Sequence, residues 1–278
     1  MDDTATNDFL ISPRALWQRI GTPLAPQIID THRRPIFDAL SGVIPGAAWR
    51  DTHQVESWAT GLDRARPIVV ACAHGEQMSQ IAVAHLRGEG FAAQALEGGH
   101  DAWVATGLPL VDKKALARFA PKSPSVWVTR RRPKIDRVAC PWLIRRFIDP
   151  QALILFVDPA RVPETAKEIG AVPFDIDGVE LSHEGPRCSF DTMLKIFGLE
   201  SEPALARLAL IVRGADTGRP DLAPEAAGLL AVSLGLSALA GDDDHGLLRR
   251  GFMVYDALFA WLRHAADERH NWPAKARS

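Results

Sequence analysis

Cys72 closes the apolar run Arg66-Pro67-Ile68-Val69-Val70-Ala71, and Ala73-His74-Gly75-Glu76-Gln77 then turns the chain into a helix-patterned segment. In an α/β sheet, ligands bind beyond the carboxyl ends of the strands, and the N-terminus of the following helix offers unpaired N–H groups to an anion. The same field lowers a thiol's pKa from about 8.5 and makes it a nucleophile. A glycine at position 75 lets the loop curl its amides inward. Cys72 is therefore the expected nucleophile, with His74 and Gly75 as its loop partners. The competing readings are a small, inert, buried thiol and a solvent-facing histidine ring.

A second group of chemistry-bearing residues lies in Glu180-Leu181-Ser182-His183-Glu184-Gly185-Pro186-Arg187-Cys188-Ser189-Phe190-Asp191. Carboxylate, imidazole and thiol together suit iron, manganese or zinc, although the spacing matches no strong zinc signature. The expected ligands are drawn from Glu180, His183 and Cys188, joined by Asp216, which ends an apolar helix where a bare carboxylate needs a partner. Ser189 and Asp191 could equally be helix caps. A third group is cationic: Arg130, Arg131, Arg132, Lys134, Arg137, Arg145 and Arg146, offset by Asp136 alone. Arg130, Arg132, Lys134, Arg137 and Arg145 are the expected contacts for an oxyanion, against the simpler reading of a solvated face or ion pairs with carboxylates elsewhere.

The elements that must position these groups follow from pattern and length. With 278 residues, two domains are expected, and 47% hydrophobic against 24% charged residues excludes a disordered or collagen-like chain. A formal net charge of −2 disfavours wholesale nucleic-acid binding. Cysteines that are odd in number and form no CxxC pair exclude a disulfide framework and point to the cytoplasm. Met1 to Arg14 has no basic cluster leading into an apolar stretch, so no export signal is read there. Ala226 to Ala240 falls short of the ~20 residues that span a bilayer, and is expected to be a buried helix; no membrane partner is expected.

Up to about residue 112 strand and helix signals alternate: Gln27 to Asp30, Arg66 to Cys72 and Phe91 to Leu96 read as strands, Met78 to Leu86 as a helix. Residues 113–124, charged and punctuated by proline, read as a linker. Residues 125–278 open with the strand-like Ser125 to Thr129, followed by a helix from Asp136 to Ile148 and a strand from Leu153 to Val157. Helices then dominate: Glu202 to Arg213, Pro224 to Ala240 and Asp243 to Ala266. The fold class is α/β, a parallel-sheet domain followed by a mainly helical α+β domain.

Ile29-Asp30-Thr31, Val43-Ile44-Pro45-Gly46-Ala47, Cys72-Ala73-His74-Gly75 and Glu97-Gly98-Gly99-His100-Asp101-Ala102-Trp103 with Gly107-Leu108-Pro109 resemble, in order, the motifs of a rhodanese-like domain. The resemblance implies a five-stranded parallel sheet and a persulfide on Cys72. Gln77 and Met78 stand where many members carry an arginine, so thiosulfate is expected to be a poor donor. RRRPKIDRVACPWLIRRFIDP, PFDIDGVELSHEGPRCSFD, LALIVRGAD and GFMVYDALFAWLRHA resemble the C-terminal domain of the ChrB-type chromate-resistance family.

The two resemblances imply a sulfurtransferase-like chromate-resistance protein. It would take a small-molecule sulfur donor and a thiol acceptor, with chromate or another oxyanion, or a transition metal, at the second domain. A non-catalytic redox or chromate sensor and a metalloenzyme centred on the second domain are the alternatives.

Overall fold

The computed structural model describes residues 9–268; the absence of an export signal, read from Met1 to Arg14, therefore lies through residue 8 outside the described residues. The first half comprises β1 (Leu10–Ile11), α1 (Pro13–Arg19), β2 (Gln27–Asp30), α2 (Arg34–Ala39), β3 (Gly42–Val43), β4 (Ala47–Trp49), α3 (Val55–Ala59), β5 (Ile68–Ala71), α4 (Gln77–Gly88), β6 (Ala93–Leu96), α5 (Gly99–Ala105), β7 (Val111–Asp112) and α6 (Lys113–Phe119). Its main sheet has five parallel strands in the order β1-β6-β5-β2-β4. Every residue of β5 is buried, as a central strand covered on both faces requires, and its uninterrupted Ile-Val-Val-Ala is the sequence form of that burial. β3 and β7 pair antiparallel beside it.

The second half comprises β8 (Val126–Arg130), α7 (Asp136–Leu143), β9 (Leu153–Val157), α8 (Val162–Ile169), β10 (Val172–Pro173), α9 (Ser189–Ile196), α10 (Pro203–Asp216), α11 (Ala226–Ala240) and α12 (Asp244–His264). The three strands form a parallel sheet, β10-β8-β9. Local chemistry starts the helices where they start. Ser12 caps α1, with proline at its first position, Glu202 accepts the Leu205 N–H at α10 and Asp243 accepts the Gly246 N–H at α12. Asp243 in its acidic run is thus a cap. Pro141 sits inside α7, and past it the chain widens into a π-helical turn from Ile144 to Ile148.

Two expectations need correction. In the segment expected to be a linker, Lys113 to Phe119 is helical, Asp112 caps it through the Ala115 N–H, and Ala115 and Phe119 are buried. Phe119 packs against Phe197 of the second half, which is why a sequence stretch with only a few apolar residues is nevertheless structured. Nor is α11 fully buried: Ala226, Leu229, Ser233 and Ser237 face inward, while Leu239 is 78% exposed. A helix apolar on every face has here only one face to bury, against α10 and α12. Among the described residues no helix is long and apolar enough to cross a membrane.

One aromatic core joins the halves. The Phe147 ring lies against Trp17 of α1, Trp142 of α7 and Phe259 of α12. Gly21 donates the conformation that admits them: its φ is +81°, and a Cβ there would lie 2.5 Å from Phe147. Backbone bonds close the seam, Gly46 N–H to the Phe147 carbonyl at 2.7 Å and Asp112 N–H to that of Phe197 at 2.9 Å. Phe147→Ala should therefore cost about 3–5 kcal/mol, and in a denaturant titration both halves should lose structure together in one transition rather than two.

Candidate functional site

The Cys72 loop is built by two strands and two glycines. Cys72 follows β5, and its carbonyl accepts the His100 N–H of α5 at 2.8 Å, while the Ala73 carbonyl accepts the Asp101 N–H at 3.0 Å. This pinning brings Gly75 and Gly99 so close that side chains are excluded. A Cβ on Gly75 (φ +70°) would lie 2.4 Å from the Leu96 carbonyl oxygen, and one on Gly99 (φ +60°) 2.3 Å from that of Cys72. The carbonyls of Cys72, Ala73, Gly75 and Glu76 are thus engaged, and among the described residues no acceptor meets the N–H groups of His74, Gly75, Glu76 and Gln77. They open the α4 N-terminus, where an anion is favoured.

Cys72 itself is 6% exposed. Its Sγ lies 3.2 Å from Ser79 Oγ, and that hydroxyl donates to the Glu76 carbonyl at 3.1 Å. Ser79 was not among the expected site residues; its only sequence signal was a polar side chain on the face of α4 that the helical spacing buries. His74 pairs instead with Asp101, Nδ1 to Oδ2 at 2.9 Å, both side chains 65% exposed, so it sits at the rim rather than against the sulfur. Behind the loop, at the end of β2 next to Ala71, Asp30 accepts the N–H of His32 at 2.9 Å and lies 2.8 Å from its Nδ1. The His32 and His100 rings meet edge to face. Burial pushes the His100 pKa down, so this ring backs the loop as a neutral group.

In the second half the expected residues separate. Glu180 binds Arg118 of α6, and Cys188, fully buried, turns its thiol to Asp191 at 3.3 Å. Burial, the first cause, and the Asp136 charge push the Cys188 and Cys140 thiols well up, so both stay protonated. Asp191 accepts the Cys188 N–H and pairs with Arg213 at 2.6 Å.

His183 and Asp216 do come together, with two carboxylates that the sequence did not single out as ligands. His183 Nε2 lies 3.3 Å from Asp136, 3.5 Å from Asp175 and 3.3 Å from Asp216. One ligand atom each from Asp136, Asp175 and His183 falls within a 4.8 Å cluster. Asp136 stood in sequence as the lone acid of a basic stretch, and nothing local marks Asp175 beyond an acid between apolar neighbours.

Of the five expected oxyanion contacts, only Arg130 and Arg137 reach this cluster, and both are held by Asp175, at 2.9 and 3.1 Å. Arg132 engages Asp244 through its backbone, Lys134 is half-buried near Pro133, and Arg145 donates to the Ala152 carbonyl on another face. The stretch is therefore mostly ion-paired or dispersed. Three carboxylates face two guanidinium groups and one imidazole, which balance only when His183 carries a proton. The hydrogen bond to Asp136 raises the His183 pKa to about 9. Burial, then Asp136, raises Asp216 to about 7, and burial likewise lifts Asp175.

Strained backbone frames the site. Arg132, Ile135 and Asp175 have φ of 58°, 39° and 51°, uncommon for side chains and costly for a β-branched one. Tyr255 holds the Ile135 carbonyl with its hydroxyl at 2.6 Å.

The protonated His183 contributes stability that is complete below its unfolded pKa of 6.5 and is lost as pH rises through about 9. Discounted for exposure, the contribution is about 1 kcal/mol, or roughly 2–4 °C in Tm. Melting in chelator between pH 6.5 and 9.5 should show that fall in the wild type and a flatter profile in His183→Gln.

Comparison with known proteins places both halves. Residues 127–262 match the family model "ChrB, C-terminal domain" and residues 12–106 the "Rhodanese-like domain". Protein ChrB of Cupriavidus metallidurans is 41% identical over 134 residues, 48% of this chain. The chain spans 39% of that protein's length. Thiosulfate sulfurtransferase GlpE of Pseudomonas savastanoi pv. phaseolicola is 37% identical over 80 residues, which are 28% of this chain and 73% of that protein. A rhodanese-related protein from Thermoplasma volcanium, solved by crystallography, is 26% identical over 36% of this chain and 95% of its own, with a TM-score of 0.31. The chain thus belongs in its first half to the rhodanese-like family, and its second half matches the ChrB C-terminal domain.

Proposed function

We propose that the protein carries sulfur on Cys72 as part of resistance to chromate. The observation that supports this most is the sulfur's position: Cys72 Sγ lies at the base of a loop whose amides from His74 to Gln77 meet no acceptor among the described residues. In the proposed step the Cys72 thiol loses its proton to water. Its thiolate attacks the sulfane sulfur of a donor; the Cys–S–S⁻ bond forms as the donor's S–S bond breaks, and the donor leaves with the bonding pair. The loop amides then face the terminal anionic sulfur. A thiolate acceptor attacks that sulfur and restores the Cys72 thiolate, so no net oxidation occurs. Ser79, whose hydroxyl now donates to Glu76, can rotate to donate to the thiolate.

Intact mass of the protein after incubation with a persulfide donor should rise by one sulfur atom, and Cys72→Ser should lose both that increment and all transfer to an acceptor thiol. A sulfur-free Cys72 under these conditions would overturn the proposal; a persulfide never passed on would favour the sensor alternative. Relatives named thiosulfate sulfurtransferases cover this half, yet here the exposed Glu76 and Gln77 stand beside the loop. Thiosulfate should therefore be a poorer donor than a persulfide, and Gln77→Arg should improve its use by the ~1.5–3 kcal/mol of a charge-assisted hydrogen bond, read as kcat/KM.

A second reading concerns the ChrB half. Asp136, Asp175 and His183, with Asp216 beside them, form a donor set of carboxylates and imidazole suited to iron, manganese or zinc. Such an ion would replace the proton on His183 and draw Asp175 from its arginines. Glu180 and Cys188 are not part of this set, since each is bound elsewhere. Dialysis against each metal followed by elemental analysis should leave one ion per chain in the wild type and none in Asp175→Asn; a wild type that retains none would leave the cluster as a charge-balanced structural network.

A further inference from the structure

The two halves meet at a cleft of about 360 Å³ whose walls include Arg66 from the rhodanese-like half and Arg145, Arg146, Pro150 and Phe252 from the ChrB half. It lies at the end of the sheet away from Cys72. Arg66 lies two residues before β5 and Cys72 directly after it, so six residue steps of extended chain, about 20 Å at ~3.3 Å per residue, separate them.

The three guanidinium groups are built into the cleft rather than dangling from it. Arg66 donates to the Ala25 carbonyl at 2.9 Å, and Arg145 donates through Nε to the Ala152 carbonyl at 2.9 Å. Arg146 is held by Asp256 through Nε at 2.8 Å and a terminal nitrogen at 2.7 Å. Arg145 and Arg146 both lie over the Phe252 ring, 5.9 and 5.6 Å from its centroid. These contacts fix the planes of the groups and leave several N–H groups over: Nε and one terminal nitrogen of Arg66, and both terminal nitrogens of Arg145, meet no acceptor among the described residues.

The charge is equally one-sided. Asp256 neutralises Arg146, but Arg66 and Arg145 have no ion-pair partner among the described residues, and no carboxylate lines the cleft. Burial, then the Arg146 charge, lowers the Arg145 pKa against the opposing pull of the Asp149 charge, the direction expected of a partly buried cation beside a like charge. Two guanidinium groups without an ion-pair partner among the described residues, facing one cleft, are complementary to two negative charges on a small body with several acceptor oxygens.

We propose that this cleft binds a tetrahedral oxyanion of charge −2, bridging Arg66 of one half and Arg145 of the other. The site is separate from the persulfide loop and from the His183 cluster. It would make the junction between the halves sensitive to such anions, because an ion gripped from both sides stabilises the seam.

Titration calorimetry of the full chain with sulfate, against chloride at matched ionic strength, tests it. One saturable sulfate site per chain is expected, together with a rise in Tm that chloride does not produce. Arg66→Gln and Arg145→Gln should each weaken sulfate at least tenfold, and Arg145→Lys, which keeps the charge but loses the fork, should fall between. Melting of each variant in chloride establishes that it is folded; because the two arginines lie in different halves, one variant suffices if the other unfolds. No saturable sulfate site, or binding unchanged in the folded arginine variants, which would put the anion elsewhere, would each overturn the proposal.

Discussion

Everything in this molecule that could do chemistry is held relative to one aromatic seam, where Phe147 of the ChrB half is enclosed by Trp17, Trp142 and Phe259. Rings of this size dominate core energetics, and edge-to-face contacts add to their burial. Because Trp17 belongs to the rhodanese-like half, the seam turns two families' domains into one packed body with a shared hydrophobic core. Arg263 reinforces it by donating to the carbonyls of Ile20 and Trp17. A segment that joins such halves cannot remain a loose tether. Its apolar residues are drawn in, and α6 forms.

Around that seam the protein separates its charge. The Cys72 loop and the Arg66–Arg145 cleft, at opposite ends of β5, present N–H donors outward to anions. The ChrB cluster does the reverse, turning three carboxylates toward one imidazole. Buried carboxylates are costly unless matched, and the matching here is close: Arg130, Arg137 and a protonated His183 offset Asp136, Asp175 and Asp216. The raised pKa of His183 and those of Asp175 and Asp216 are two expressions of that balance, the field of the acids holding one proton more firmly than any of them would alone.

The same balance occupies Arg130 and Arg137 of the basic stretch from Arg130 to Arg146, whose composition pointed to an anion site. Those arginines that enter the cluster answer its acids. Arg145 lies past Pro141, inside the π-helical turn from Ile144 to Ile148, where it lines the cleft together with Arg66. In the proposed site an arginine from each of two distant segments, Arg66 and Arg145, would take the role that five neighbours in sequence were expected to share.

The chain's local chemistry was legible without coordinates wherever it depended on consecutive residues. The buried run of β5, the turn after Cys72 with its glycine at 75 and the start of the last helix at Asp243 all follow from short-range sterics and hydrogen bonding, which adjacent residue types dictate. Motif order was enough to identify both families. The partners of each side chain were not legible, because they are chosen by packing across tens or hundreds of residues. Asp136, Asp175 and Asp216 meet His183 only after β8, α7 and α10 have packed, and Glu180 and Cys188, nearer to His183 in sequence than any of these, turn to Arg118 and Asp191. Proximity along a chain constrains a side chain's position only within a turn or a strand; beyond that, the lowest-cost burial of charge and ring decides which groups become neighbours.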